Sequence, residues 1–328
     1  MNVKLTRMLP LILLLLCIGA PAFAQNPDLV LSQAERDSIL KDYRGFFPIW
    51  GRKAIERGFD LPRSFGVGFN AVYITQNIDI ANLQLSTGDD PLQTLNAFQF
   101  GTNTANAFSE TVRADLWVFP FLNVYGIAGP GQANTTVELT NPLAFTSSVD
   151  QGATTYGVGL TGAMGVKLNW LSVDVNWTWS DLEKLDDPVL IRILGIRYGR
   201  AIKLSGQKKV AFWLGTMNQK VELATKGSVA FDEAVPPEFW SAIENIQSSP
   251  WYQALPPAQK AAVDRLVQRI TANKSTPINY GLDKSLADPW NMLAGSQLFL
   301  GKSWEFRVEA GFIGRLSFLA GLTYRLNI

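Results

Sequence analysis

The chain reads as an all-β protein, a transmembrane antiparallel up-and-down β-barrel of about ten strands, within a range of about eight to twelve. Three observations predict that class. Ten segments alternate apolar and polar residues at period two, and the last of them, "SFLAGLTYRLNI", keeps the alternation to residue 328. Charged residues make up only 17% of the chain while glycine (27) and aromatics (11%) are plentiful, a composition suited to a wall that touches hydrocarbon rather than to a soluble enzyme. Finally, an export signal opens the chain and no second long apolar run follows it, so strands rather than helices must do any crossing.

The signal is residues 1–24. Lys4 and Arg7 form a positive start, Leu9 to Ile18 are almost wholly apolar, and Ala22-Phe23-Ala24 presents a small-x-small cleavage pattern. Leu16 is too bulky to make Cys17 a lipidation site. Cleavage after Ala24 leaves no cysteine and no histidine. Disulfides, Cys or His metal sites and every triad with a His base are thereby excluded. The expected sets of catalytic, cofactor-binding and metal-ligating residues are therefore empty, and no cofactor is expected. With 29 basic against 28 acidic residues there is no electrostatic footprint for a nucleic-acid partner.

Residues 25–63 form a lead before the barrel proper, 64–328. In "SQAERDSILKDY", Ser32 and Glu35 have the spacing of a capping box, which predicts a helix. Phe46, Phe47, Ile49 and Trp50 are too apolar for a free tail, so the lead is expected to pack at the barrel mouth as a periplasmic, plug-like segment.

Strands are expected at about 65–79, 108–119, 122–139, 153–168, 171–182, 189–203, 208–226, 290–300, 303–312 and 315–328. Connections alternate in length. Pro120-Phe121, Asn169-Trp170, "SGQKK" and Gly301-Lys302 are tight; the others are longer, the seventh running from about 227 to 289. Short turns in the periplasm and long loops outside are the outer-membrane pattern, with both chain ends in the periplasm. "IANLQLS" and "NAFQFGT" are candidates for one extra strand pair. The turn after Phe312 must hold three residues centred on Gly314, because a two-residue turn would place Phe312 opposite Arg315 and mix the two faces. The last strand reaches the C-terminus because it closes the barrel against the first and leaves no edge.

Period two then assigns faces. Arg113, Asp115, Asp174, Glu305, Arg307, Glu309 and Arg325 point inward. They form either a mutually paired ionic filling of a narrow lumen or a polar path for binding or conduction. Gly66, Gly68, Gly157, Gly159 and Gly165 share that face and make room. Trp117, Trp170, Trp177, Trp179, Trp213, Trp290 and Trp304 fall mostly near strand ends, as interfacial girdles require. "GVGLTG" (157–162) matches a dinucleotide fingerprint in letters only, because its flanks continue as strand. Asp181, Glu183, Asp186 and Asp187 are oxygen-rich but lack a calcium-loop spacing.

Residues 233–275 break the pattern. Pro236-Pro237 and Pro256-Pro257 each begin an amphipathic helical segment, with "SPWYQAL" between them. Such an insert is a self-packed extracellular cap, a lid over a ligand route, or a docking surface; as a lid it would act through Phe239, Trp240, Trp251 and Tyr252.

"GFDLPRSFGVGFN" (58–70), "RADLWVFPFLNVYGIAG" (113–129) and "DPWNMLAGSQLFLGKSWEFRVEAGFIGRLSFLAGLTYR" (288–325) resemble a group of uncharacterised Gram-negative outer-membrane barrels. The resemblance implies the barrel fold and brings no activity or site with it. The final strand also resembles the signal read by the barrel-assembly machinery, with Ile328 in place of the usual terminal aromatic. The expected partners are outer-membrane lipid and lipopolysaccharide, that machinery during biogenesis, and a small-molecule ligand. The expected function is non-enzymatic: small-molecule binding, selective passage or envelope structure. The alternatives are a gated transporter of small, including apolar, molecules under the insert, and a membrane enzyme that works without histidine.

Overall fold

The computed structural model describes residues 31–328 except 88–90, 95–98, 142–143, 167–168, 206–207, 222–223, 231, 233–234, 236–238, 241–242, 244 and 273–276. The expected signal segment, 1–24, lies outside them.

A closed antiparallel barrel of ten strands fills most of the chain. In ring order these are β1 (Phe65–Thr87), β4 (Asn103–Phe119), β5 (Leu122–Asn141), β6 (Phe145–Val166), β7 (Asn169–Leu182), β8 (Val189–Lys203), β9 (Lys208–Val221), β12 (Trp290–Leu300), β13 (Trp304–Phe312) and β14 (Arg315–Leu326). Closure comes from β1, which pairs with β4 from Phe65↔Leu116 to Ile78↔Asn103 and with β14 from Phe65↔Leu326 to Gln76↔Arg315. Every backbone edge is thereby paired, which hydrocarbon demands because it offers no hydrogen bonds in return.

The outward face explains the thickness. On β13, Trp304, Phe306, Val308 and Phe312 are all exposed, and across the ladder so are Leu316, Phe318, Leu322 and Tyr324. Nine residues of β13 cover this band, close to the length a tilted strand needs to cross a hydrocarbon layer. Aromatics mark both edges. Trp304 and Tyr324 meet at 4.8 Å at the short-turn end; Tyr156 stacks on Trp179 at 5.9 Å toward the other.

The ends of the strands differ from expectation in instructive ways. β1 runs on through "IANLQLS" to Thr87, and among the described residues of the second candidate stretch Gln99–Phe100 (β3) forms strand, pairing with β5. A further pair, β2 (Gln93–Thr94), lies against β1. Asn169 and Trp170 are not a turn: they open β7, paired with Val166 and Gly165. The seventh strand divides into β9 and β10 (Ala224–Ala230), and "PINYGLDKSL", read as loop, is strand β11 (Pro277–Leu286). Its Gly, Asp and Lys disguise the alternation of Ile278, Tyr280 and Leu282, and only pairing on both edges, to β10 and β1, makes it strand.

β11 creates the main departure from a plain barrel. The β13–β14 hairpin turns at Ile313 and Gly314, both at positive φ, with Glu305↔Thr323 and Phe306↔Leu322 as the three-residue connection requires. Beyond its tip, β1 exchanges β14 for β11 as partner, from Ile78↔Leu286 onward. Since β10 follows β9 and β11 leads into β12, the wall loses β13 and β14 there.

Both mouths are covered. At the short-turn end the capping box holds, with Ser32 and Glu35 bonded reciprocally at the start of α1 (Gln33–Asp42). That bonding, to the Ser32 backbone first, holds the Glu35 carboxyl below its ordinary value. α2 (Gly51–Glu56) follows. The Ile49 N–H donates to Val118 O, Trp50 lies 5.1 Å from Phe119, Asp60 pairs with Lys209, and Arg63 donates to Ser303 Oγ at 2.7 Å. Those contacts reach turns on opposite sides of the ring, so the lead crosses the mouth. At the long-loop end, α3 (Pro250–Ala254) and α4 (Pro257–Ala272) stand in the insert. The helical reading of 236–247 falls partly outside the described residues.

An arginine on the outward band meets hydrocarbon directly. Val308→Arg should lower unfolding free energy by about 2–4 kcal/mol in vesicle-reconstituted denaturant titrations, whereas the neighbouring lumen position Thr323→Ser should change it little.

Candidate functional site

The seven inward charges meet in the lower lumen, together with an eighth. Arg325 donates to Asp115 Oδ1 at 2.9 Å and Glu305 Oε1 at 2.6 Å, across β1 from one and along the hairpin from the other. Asn123 donates to Asp115 at 2.7 Å and accepts from Arg113 at 3.1 Å. A second group centres on Glu309, which accepts from Arg197 (2.6 and 2.8 Å), Arg307 (2.9 Å) and the Trp213 indole (2.7 Å). Arg197 also pairs with Asp174. Each group is neutral, two arginines against two carboxylates. That balance suits charges removed from water, which need partners to remain ionised.

Tyr125 joins the groups. Its ring lies 3.6 Å under the Arg113 guanidinium and its hydroxyl donates to Asn176. Glycines on β1, β6 and β12 supply the room. A Cβ on Gly66 would run into Asp115 and Arg325, one on Gly159 into the Tyr125 ring, and one on Gly295 into Trp213. Charged or ring-bearing side chains thus lie over glycine from around the whole wall, and together they form a layer across it.

The sequence did not single out Arg197, Asn123, Tyr125, Asn176 or Gln297, which donates to Glu305 at 3.1 Å. Parity extends an assigned face only along its own strand: Asn176 shares β7 with Asp174, whereas the strands of Arg197, Asn123, Tyr125 and Gln297 held no assigned inward charge. The tryptophan assignment needs correction by the same rule. Trp177, Trp179, Trp290 and Trp304 face outward, but Trp117, Trp170 and Trp213 point into the lumen, with Trp170 and Trp213 meeting edge to face at 5.9 Å. Proximity to a strand end does not decide a face; register does.

Above this layer the inner wall changes character. On β1 the inward residues pass from Gly66, Gly68 and Asn70 to Val72, Ile74, Ile78 and Ile80. Opposite Met217 and Leu293, the β4–β6 wall is built of small residues, mostly apolar with hydroxyls among them: Ala105, Ala107, Ser109, Gly131, Ala133, Thr135, Ala153 and Thr155. Ala107 points inward yet is exposed, and Ile74, Ile193 and Met217 are half-exposed. Small residues on one side therefore leave an accessible apolar space above the ionic layer.

Two cations face that space. Arg315, only 3% exposed, stands at the seam where the wall narrows. Its one hydrogen bond is to Gln76 Oε1 at 3.4 Å, and its Nε and second terminal nitrogen have no partner among the described residues. Beside it, Asn291 donates to Arg315 O at 3.4 Å, while Asn291 Oδ1 and Gln219 Oε1 are also buried without a partner. Further out, Lys284 on β11 shares the inward face with Leu282 and Leu286. Burial alone pushes its ammonium down to about 8.

The insert covers the space. Ile243, Ile246, Tyr252, Leu255 and Val263 form an apolar cluster with Ile278 of β11, and Leu85 of β1, Phe239, Trp240 and Trp251 pack on it. Phe239 also reaches Phe145 of β6 at 4.7 Å, on the far side of the mouth. The Tyr252 hydroxyl donates to Asp264 at 2.8 Å, which holds its phenol above the ordinary value. All four candidate lid residues thus belong to one cluster bridging the mouth.

Other motifs lead elsewhere. "GVGLTG" is entirely within β6. Among the described residues no three acidic, His or Cys side chains are gathered as a metal site; Glu183 instead accepts from Gly152 N at 3.0 Å.

No protein-family model matches the chain, and no curated protein matches it. Solved structures do. The outer membrane protein OprG of Pseudomonas aeruginosa aligns with 81% of this chain and 98% of its own, at 13% identity and TM-score 0.38. The β domain of the Bordetella autotransporter BrkA aligns with 80% and 99%, at 10% identity and TM-score 0.37. The translocator domain of the autotransporter NalP from Neisseria meningitidis aligns with 84% and 92%, at 10% identity and TM-score 0.33. The fold itself rests on the closed ladder described above.

Glu309 holds two arginines at once, so its removal leaves Arg307 without its carboxylate and Arg197 with Asp174 alone. Glu309→Leu should cost about 3–5 kcal/mol in urea titrations of the vesicle-reconstituted barrel, with part of the loss recovered in Arg197→Met/Glu309→Leu.

Proposed function

We propose that this protein is a non-enzymatic outer-membrane barrel, one of the Gram-negative group that its three quoted stretches resemble. It holds a small apolar molecule in the upper lumen instead of conducting solutes freely. The reading is carried by one observation: an accessible, aliphatic-walled space bounded below by paired charges and above by the insert. An open diffusion channel would need a continuous polar path, and here the lower lumen is occupied by side chains bonded to one another. Residues 233–275 act as the lid of this space, through Phe239, Trp240, Trp251 and Tyr252. The lead, 25–63, plugs the periplasmic mouth. Lipid and lipopolysaccharide surround the outward band, and the barrel-assembly machinery inserts the chain after its signal is removed.

A hydrolytic or transfer reaction finds no support in the residue types present. The chain lacks histidine, and the carboxylates of the lower lumen are engaged by arginines rather than poised beside a nucleophile.

A reporter at Ala107 tests both the space and its lid. In proteoliposomes, an Ala107→Cys variant should react slowly with N-ethylmaleimide, and deletion of 233–275 should raise that rate at least about tenfold. Absence of labelling in both forms would show that the space does not exist; equal, fast labelling would remove the lid.

A further inference from the structure

The chemistry of the upper lumen specifies more than apolarity. Along the inward positions of the strands above the ionic layer, none of the described residues is Asp or Glu, while Arg315 and Lys284 both stand there. The lower lumen balances every cation with a carboxylate; the upper lumen leaves two without one. Arg315 is the sharper case. A buried guanidinium ordinarily has its N–H groups satisfied, yet this one makes a single long bond to a neutral amide. Its row across the ladder continues to Gln76, Ala105 and Thr135, with no acidic side chain among them.

Resting on the binding-chamber reading above, we infer that the occupant is an anionic amphiphile, an alkyl carboxylate whose head is held by Arg315 and whose chain lies along the aliphatic wall. A carboxylate offers two acceptor oxygens to the two unpartnered guanidinium nitrogens, in the fork geometry that suits arginine. The hydrocarbon chain then replaces water against Ile74, Ile193 and Met217. Asn291 and Gln219 present unbonded amide oxygens nearby. These do not welcome an anion themselves, but they accept from a water or hydroxyl bridging to the head. Lys284, further toward the mouth, adds a second positive charge on the way in.

The test is equilibrium binding of tritiated dodecanoate, dodecanol and dodecyl phosphate to the full-length barrel in phosphatidylcholine nanodiscs, with empty nanodiscs subtracted. Wild type should bind dodecanoate saturably and at least about tenfold tighter than dodecanol. Arg315→Met should abolish that preference while dodecanol binding persists, and Arg315→Lys should retain part of it. Heat-modifiable gel migration reports whether each variant is folded. Should Arg315→Met not fold, the wild-type preference and the Arg315→Lys variant decide. Equal binding of acid and alcohol, or an unchanged preference in Arg315→Met, would overturn the inference and leave the chamber standing. Tighter binding of dodecyl phosphate would overturn the carboxylate assignment in favour of a phosphate head. Saturable binding of none of the three would overturn the inference outright. Failure of the underlying reading shows separately, as an Ala107 cysteine that no reagent reaches.

Discussion

Hydrocarbon cannot hydrogen-bond a peptide group, and this architecture follows from that constraint. Each spanning strand must pair on both edges, so the sheet closes. Because side chains alternate along a paired strand, closure sends half of them into a lumen little wider than a side chain. Every charge the sequence carries on that face must then find a partner within the lumen or stay near water. Arg197, Arg307, Glu309 and Asp174, or Arg325, Arg113, Asp115 and Glu305, show the outcome: compact neutral groups whose room is supplied by glycines on the neighbouring strands.

The same ladder accounts for the change in the upper lumen. Replacement of β14 by β11 beside β1 lets the barrel narrow above the hydrocarbon band while β1 keeps a partner on that edge. The hairpin tip is left beneath this junction, and Arg315 is carried into it. A residue at an ordinary β14 position would have neighbours on both sides to pair with. At the junction, the adjoining strands present Gln76 and Asn291 instead of a carboxylate. The unpaired guanidinium is thus a consequence of topology, and it gives the space above the ionic layer its sign.

Much of this was legible in the residues, and the reasons are physical. Strands such as Trp304–Phe312 alternate cleanly because one face meets a uniform solvent, and that pattern sets both their faces and the inward place of Arg113, Asp115, Asp174, Glu305, Arg307, Glu309 and Arg325. β11 was not legible, since a strand above the membrane is no longer selected for an apolar outer face and "YGLDKSL" carries residues typical of loops. Trp213 was misassigned because an aromatic near a strand end fits a girdle as well as a lumen, and only its position opposite Gly295 decides between them. Arg197 was overlooked in "IRILGIRYGR", where Arg192 and Arg200 take the other face and obscure the parity. That Arg315 meets no carboxylate among the described residues lies beyond any single-chain pattern, because it depends on which partner β1 keeps.

The account depends most on the lower lumen being closed by its own paired side chains. Planar-bilayer recording of the purified barrel, intact and with residues 233–275 deleted, addresses that directly. No open-pore current is expected from either form, because the ionic layer remains when the insert is gone. A steady ohmic current through the intact protein would contradict it.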